Sequence, residues 1–242
     1  PRLMPAARRV AAFAALAALP VAVFIAVYGL QDHYRFADEA IAIFGGREVL
    51  DRFPEALWDP TFSGRPLERG LAWLWALCLT VTSTTSASFQ LMHVVLAVVA
   101  ASAAIPVALL LRGLGAGLVA SVGAGVVAVL GPWSIFGVTL LNNAPGMTTV
   151  AWMLLAAQRA VLRPGWRSDA LLLAAALLVG FVRAGNIAFV AAVGPTVLWF
   201  AWARGGSPAG FARELVRRHW LLVAAAGAVA VALLARGIEG LL

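Results

Sequence analysis

The sequence predicts an all-α protein, a polytopic bundle of transmembrane helices. Of its 242 residues, 62% are hydrophobic and 12% are charged, whereas soluble domains carry about 25% charged residues. Several apolar runs approach or exceed the roughly 20 residues that a helix needs to cross the hydrocarbon core of a bilayer. These two observations exclude an ordinary soluble domain.

Seven spans are predicted within a single transmembrane module, residues 1–242. The first apolar run is too long for the core of a signal peptide and lacks a clear cleavage site, so it is interpreted as a helix. A kink is expected in the third span at Gly131-Pro132. The predicted spans are residues 10–30, 89–111, 118–140, 147–162, 170–182, 187–202 and 221–235.

A long polar loop, residues 31–88, separates the first two spans. Within it, apolar side chains at helical spacing predict an interfacial helix over residues 37–50. The apolar run 71–81 is only about half a bilayer long, which favours a partly embedded helix, and 82–88 interrupts the helical pattern. Further along, residues 142–146 (Asn-Asn-Ala-Pro-Gly) predict a tight loop. Residues 204–219 predict a basic amphipathic linker.

The arginines orient the predicted spans. All 18 basic residues are Arg, and with the N-terminus in the cytoplasm eleven of them fall on the inside with two acids. The outside then holds seven Arg and nine acids. Cytoplasmic loops of membrane proteins carry an excess of Lys and Arg. The chain is therefore predicted to be a multi-pass protein of the bacterial plasma membrane, with its acidic loop outside.

Several function classes are disfavoured by composition. The formal charge of +7 comes from arginines that lie between apolar runs, so no nucleic-acid partner is predicted. A single cysteine, Cys78, cannot form an internal disulfide. The sequence has neither a Gly-rich phosphate loop nor Cys/His metal spacing nor a Gly-x-Ser-x-Gly nucleophile.

Acids cluster just after the first span, beginning with the adjacent pair Asp38 and Glu39. Carboxylates at a membrane are costly unless water, a substrate or a cation meets them. Tyr34 and His33, at the entry to the loop, are candidate substrate neighbours, and Arg183 lies near the same predicted external face. The cluster continues through Glu48, Asp51, Glu55, Asp59 and Glu68.

Three stretches in this order resemble the GT-C superfamily of membrane glycosyltransferases, most closely bacterial aminoarabinose transferases and protein O-mannosyltransferases. They are residues 37–40 (Ala-Asp-Glu-Ala), residues 64–75 at the end of the loop, and residues 141–145 in the next external turn. The likeness covers most of residues 10–202. It implies transfer of a sugar from a polyprenyl-phosphate donor to an acceptor at the outer face of the membrane, beside membrane lipids.

The resemblance also implies roles for residues. Asp38, with Glu39 beside it, would be the general base for the acceptor hydroxyl, and general-base catalysis contributes about 10²–10⁴-fold. In the pair Glu68-Arg69, the arginine would contact the lipid phosphate, for which its fixed charge and bidentate geometry are suited. Arg65, Asn142 and Asn143 would complete the substrate contacts.

The chain departs from the family pattern at three points. Ala42 stands where a tyrosine is usual, and Asn142 and Asn143 stand where a second acid is usual. Asparagine can hydrogen-bond a sugar but binds a cation more weakly than a carboxylate, so the sequence does not support a divalent metal and leaves the cofactor open. The family usually continues into further helices or a C-terminal extracellular domain, which are expected beyond this chain.

Other interpretations remain open at this point. Asp38 and Glu39 could simply complement the dipole of a helix, worth about 0.3–1 kcal/mol, and Arg65 and Arg69 could extend to lipid headgroups. The module could also be a non-catalytic scaffold or lipid-binding subunit of the same architecture. A small-solute transporter is a third hypothesis, disfavoured because few ionisable groups lie within the predicted spans.

Overall fold

The computed structural model describes residues 18–26, 29–30, 37–55, 69–130, 143–183 and 186–239. Of these described residues 88% are helical and none forms a strand, which confirms the all-α class. The helices are α1 (residues 18–26), α2 (Ala37–Asp51), α3 (Arg69–Val81), α4 (Thr85–Ser102), α5 (Ala104–Gly113), α6 (Leu118–Leu130), α7 (Asn143–Leu162), α8 (Trp166–Val182), α9 (Ile187–Gly205), α10 (Pro208–Arg218) and α11 (Trp220–Glu239).

By length and composition, two helical stretches of the described residues are able to cross a membrane. One is Thr85–Gly113, which contains α4 and α5, and the other is α9. Only 17% of the most apolar window of α9 is buried, whereas the core helix of a soluble protein would be mostly covered. The two stretches correspond to the second and sixth predicted spans, and the set of seven stays a prediction.

The second predicted span, residues 89–111, lies within the stretch Thr85–Gly113, which has one local irregularity. The helix is interrupted at Ala103, whose N–H donates to Ala100 O at 3.1 Å, three residues back instead of four. The cause is Pro106 in the first turn of α5, because a proline ring clashes with the carbonyl four residues before it, here Ser102. The chain responds by ending α4 and starting α5 as a separate helix.

The interruption predicted at 82–88 was too long. α4 begins at Thr85, because the Thr84 hydroxyl accepts a hydrogen bond from the Ala87 N–H at 3.1 Å and caps the helix. The loop predicted at 142–146 was also wrong, because α7 already begins at Asn143. Pro145 is tolerated there since the first turn of a helix has no use for its missing N–H.

The remaining helices lie close to their predicted positions. α2, α3, α8, α9 and α11 match the predicted segments to within a few residues at each end, and the basic linker contains α10. The Ser207 hydroxyl caps α10 by accepting from the Gly210 N–H at 3.1 Å. The third predicted span is helical through Leu130, and the predicted kink at 131–132 lies outside the described residues.

Apolar side chains join the helices into a continuous bundle. Phe24 of α1 packs with α4, α5 and α6, Trp75 of α3 with α2 and α4, and Met153 of α7 with α8 and α9. Trp75 is fully buried, with its ring 5.1 Å from that of Phe89. α8 is central to the second half, because it packs against α3, α7, α9 and α11. Its two ends carry the polar groups described next.

Candidate functional site

Arg183 follows the last residue of α8 and lies against the start of α7. Its backbone is extended, and its N–H donates to Val179 O at 3.0 Å. A Cβ atom at Gly146 would lie 3.2 Å from Arg183 Cδ and 2.8 Å from the amide nitrogen of Asn186. A Cβ atom at position 146 would displace both groups, so Gly146 lets the half-buried Arg183 side chain lie beside the first turn of α7.

The start of α3 lies against the same end of α8. A Cβ atom at Gly70 would lie 3.1 Å from Val182 Cγ2 and 3.2 Å from Val182 Cα, so α3 begins in close contact with the end of α8. Gly70 follows Arg69, and Val182 precedes Arg183. The predicted site residues Arg69, Asn143 and Arg183 are therefore brought to one end of the bundle. We call this region, residues 69–70, 143–146, 182–183 and 186–187, the Arg183 end.

Three helices begin at the Arg183 end: α3, α7 and α9. A helix amino terminus carries a partial positive charge and unpaired N–H groups, which favour anions. The Arg183 guanidinium adds a full positive charge to the same region. Asn186 is 7% exposed, and its Nδ2 has no hydrogen-bond partner among the described residues. The arrangement suits a ligand that combines an anion with hydrogen-bond acceptors.

The structure describes the predicted catalytic pair by backbone only. Asp38 and Glu39 lie in the first turn of α2, which confirms the predicted helix, and their side chains lie outside the described part. The same holds for the side chains of Arg69 and Asn143, at the first positions of α3 and α7. Outside the described residues altogether are His33, Tyr34, Arg65, Glu68 and Asn142.

The contact between α2 and α3 limits how far apart the Asp38 and Arg69 backbones can lie. A Cβ at Gly45 would lie 3.3 Å from Ala72 Cβ, so α2 and α3 touch at these positions. At 1.5 Å per residue, Asp38 lies about 10 Å along α2 from this contact and Arg69 about 5 Å along α3. Both backbone positions therefore lie within about 10 Å of this contact, measured along their own helices. The convergence of their side chains on one groove stays a prediction.

At the opposite end of α8, Asp169 forms a buried pair with His219. Asp169 Oδ1 and His219 Nδ1 are 2.9 Å apart, and both side chains are 0% exposed. His219 lies between α10 and α11, and Asp169 lies in the first turn of α8, one residue before the predicted span 170–182. The pair therefore fixes the start of α8 to the junction of α10 and α11.

Opposing effects act on the Asp169 carboxyl group. Burial raises its pKa above the ordinary value of 3.8, and this is the largest influence. The hydrogen bond and charge of His219 and the backbone amide of Leu222 lower the pKa and partly offset burial. Leu222 lies in the first turn of α11, where the helix dipole also favours a negative charge. The net shift is upward.

Around this pair lies an arginine-rich end, formed by the ends of α5, α7 and α9, the start of α8, and α10. Arg204 Nη1 donates to Val161 O at 2.9 Å, which ties α9 to the end of α7. Glu214 lies 3.6 Å from Arg204 Nε and 3.2 Å from Arg218 Nε. The arginines of this end are Arg112, Arg159, Arg163, Arg167, Arg204, Arg213, Arg217 and Arg218.

Sequence reasoning missed Asn186 and the Asp169–His219 pair. Asn186 shares its short interhelical turn with Arg183, and this proximity was the available signal. Asp169 and His219 are 50 residues apart, and each falls in a different predicted cytoplasmic connection. Nothing in their spacing indicates that the two connections meet. No group of three or more metal-ligating side chains occurs within the described residues.

Neither a protein-family model nor a curated protein nor a solved structure matches the chain significantly. The interpretation of the Arg183 end depends on its residues and geometry.

Proposed function

We propose that the chain is a membrane module of the GT-C type that transfers a sugar from polyprenyl phosphate to an acceptor. The observation that carries the proposal is the Arg183 end, where Arg183, the buried amide of Asn186 and three helix amino termini lie together. A lipid-linked phosphate needs such a concentration of positive charge and N–H donors, because its charge must be stabilised where water is scarce.

In the proposed reaction the acceptor hydroxyl attacks the anomeric carbon of the sugar. Asp38 accepts the hydroxyl proton, with Glu39 beside it, and the bond from the sugar to the phosphate oxygen breaks. Arg183 and Arg69 hold the leaving polyprenyl phosphate through charge-assisted hydrogen bonds. Asn143 and Asn186 supply amide groups that can hydrogen-bond sugar hydroxyls. One displacement completes the transfer, so no covalent sugar intermediate is required.

The proposal includes a topology. The chain crosses the plasma membrane several times with its N-terminus in the cytoplasm, and the Arg183 end faces outward. The arginine-rich end supports this orientation, because eight described arginines lie there with only two acids, Asp169 and Glu214. The exposed apolar surface of α9 supports burial in lipid.

The direct test offers purified protein, reconstituted in vesicles, a radiolabelled polyprenyl-phosphate sugar and a mixture of lipid and sugar acceptors. Turnover that needs Asp38 supports the glycosyltransferase. Saturable binding without turnover would replace it by a lipid-binding scaffold of the same architecture, and gradient-driven uptake of a solute would replace it by a transporter. Absence of both binding and turnover would refute the proposal.

A further inference from the structure

An apolar groove of about 710 Å³ runs between α7 and α8 beside the end of α5. Leu109, Trp152, Leu155, Leu171 and Leu178 form much of its wall. Ligand sites typically have volumes of about 300–1,000 Å³ and combine an apolar lining with a few placed polar groups. The groove is large enough for part of a lipid chain, and its composition suits one.

Two cations lie at one end of this groove, Arg159 and Arg163. They are one helical turn apart, because the Arg163 N–H donates to Arg159 O at 2.8 Å. Like charges at this spacing repel each other unless an anion lies between them. Both residues are exposed, and among the described residues neither forms an ion pair.

Neighbouring contacts fix the backbone that carries these arginines. The Ser168 hydroxyl donates to Arg163 O at 2.8 Å and fixes the turn between α7 and α8. The Gln158 amide donates to Leu110 O at 2.9 Å and fixes α7 to the last turn of α5. The polar end of the groove is therefore preorganised by backbone contacts, while the two guanidinium groups remain available to a ligand.

We propose that this groove binds one anionic phospholipid of the membrane. An acyl chain lies between α7 and α8 along the leucines, and the headgroup phosphate lies between Arg159 and Arg163. Each guanidinium can donate two parallel hydrogen bonds to phosphate oxygens. The groove ends at the arginine-rich end, where charged residues follow the apolar helices. Lipid headgroups lie at the membrane surface, so this is the level at which a headgroup phosphate is expected.

A second groove on the other side of α8 serves as an internal comparison. It has a volume of about 610 Å³ and is lined by α7, α8, α9 and α11, with Leu215 and His219 at the α10–α11 junction. No arginine lines it, and its one titratable lining residue, His219, is paired with Asp169. Selectivity for an anionic headgroup is therefore expected of the first groove only. This site is separate from the Arg183 end; it rests on the proposed membrane topology but not on the proposed sugar transfer.

The test measures lipid retained by the full-length chain in native mass spectrometry after equilibration with phosphatidylglycerol or phosphatidylcholine vesicles. Wild-type protein should retain phosphatidylglycerol in preference to phosphatidylcholine. The double variant R159Q/R163Q should bind phosphatidylglycerol about tenfold or more weakly, which corresponds to at least ~1.4 kcal/mol. R213Q/R217Q, with the same charge change on exposed α10 positions, should keep wild-type retention.

A groove-filling variant tests the apolar part of the site. Ala174 is exposed and lines the groove, so Ala174→Trp should reduce retention of phosphatidylglycerol without removing a charge and without disturbing the core. Inorganic phosphate in excess should not displace the lipid, because the acyl chain contributes to binding. Unchanged retention in R159Q/R163Q or A174W, equal loss in R213Q/R217Q, or displacement by phosphate would each overturn the proposal.

Discussion

The two ends of α8 differ in how they use charge. They are about 20 Å apart, since Asp169 and Arg183 are separated by 14 residues of about 1.5 Å each. At the Arg183 end, two arginines, Arg69 and Arg183, and the buried amide of Asn186 lie with three helix amino termini. At the arginine-rich end, most arginines are exposed, and a fully buried acid–histidine pair joins three helices. The Arg183 end suits ligand binding. At the arginine-rich end, the arginines suit orientation of the chain in a membrane and the buried pair suits stability of the fold.

In the proposed reaction, turnover should depend on Asp38 and not on acids in general. Asp38→Asn should reduce turnover by ~10²-fold or more, because it removes the general base, with little change in lipid affinity. The measurement is single-turnover transfer from a radiolabelled polyprenyl-phosphate sugar.

Asp51→Asn is the matched control, since Asp51 is exposed in the last turn of α2, and it should retain wild-type turnover. Equal losses in the two variants, or transfer that is indifferent to Asp38, would remove Asp38 from the mechanism.

Stability should depend on the buried pair of Asp169 and His219. Asp169→Ala should lower the free energy of unfolding by about 3–5 kcal/mol, the usual cost of removing one partner from a buried pair. Denaturant unfolding in detergent, followed by tryptophan fluorescence, measures the change.

Glu214→Ala provides the comparison, because its partners Arg204 and Arg218 are partly exposed and such pairs contribute about 1 kcal/mol or less. If Glu214→Ala cost as much as Asp169→Ala, burial would not be the reason for the effect.

Binding should depend on Arg183 and not on arginine in general. Arg183→Ala should weaken binding of polyprenyl phosphate by ~1.5–3 kcal/mol, the contribution of a hydrogen bond to a charged group. Equilibrium binding of the radiolabelled lipid in detergent measures this loss.

Arg112→Ala removes an exposed arginine from the other end and should leave affinity unchanged. An equal effect of both variants would mean that the lipid responds to total charge and not to the Arg183 end.

The smallest expected effect is a pH dependence at Asp169. Because its pKa is raised in the folded protein, the native state keeps this proton to higher pH than the unfolded chain. Its contribution to stability therefore falls as the pH rises from about 3.8 through the raised pKa, and it is constant above that. Asp169→Asn should lack this decline when unfolding is compared with wild type across pH. Identical pH profiles would show that the Asp169 pKa is not raised.

Most helices could be predicted because apolar runs and turn residues are local signals. The details that were missed depend on single residues. Pro106 is incompatible with a regular helical bond to the Ser102 carbonyl, which interrupts the helix near Ala103, and the Thr84 cap starts α4 at Thr85. Asn143 to Gly146 resemble a turn in composition, yet Pro145 is compatible with the first turn of a helix.

The candidate site was predictable only in part. Arg183 and Asn143 could be proposed from their predicted side of the membrane, but their proximity depends on Gly146, where the absence of a side chain lets two helices touch. Asp169 and His219 are paired by tertiary packing across 50 residues. Hydrophobic periodicity in the sequence does not predict such a contact, because the contact depends on how α8, α10 and α11 pack together.

The central claim, that the two ends of α8 face opposite sides of the membrane, is tested most directly by cysteine labelling in intact cells. Two exposed positions suit the labels, Glu55 after α2 and Ala212 in α10. The native Cys78 is 2% exposed and should give little background. With an impermeant thiol reagent, Glu55→Cys should label from outside and Ala212→Cys only after the cells are opened. The reverse pattern would place the acidic loop in the cytoplasm and contradict the account.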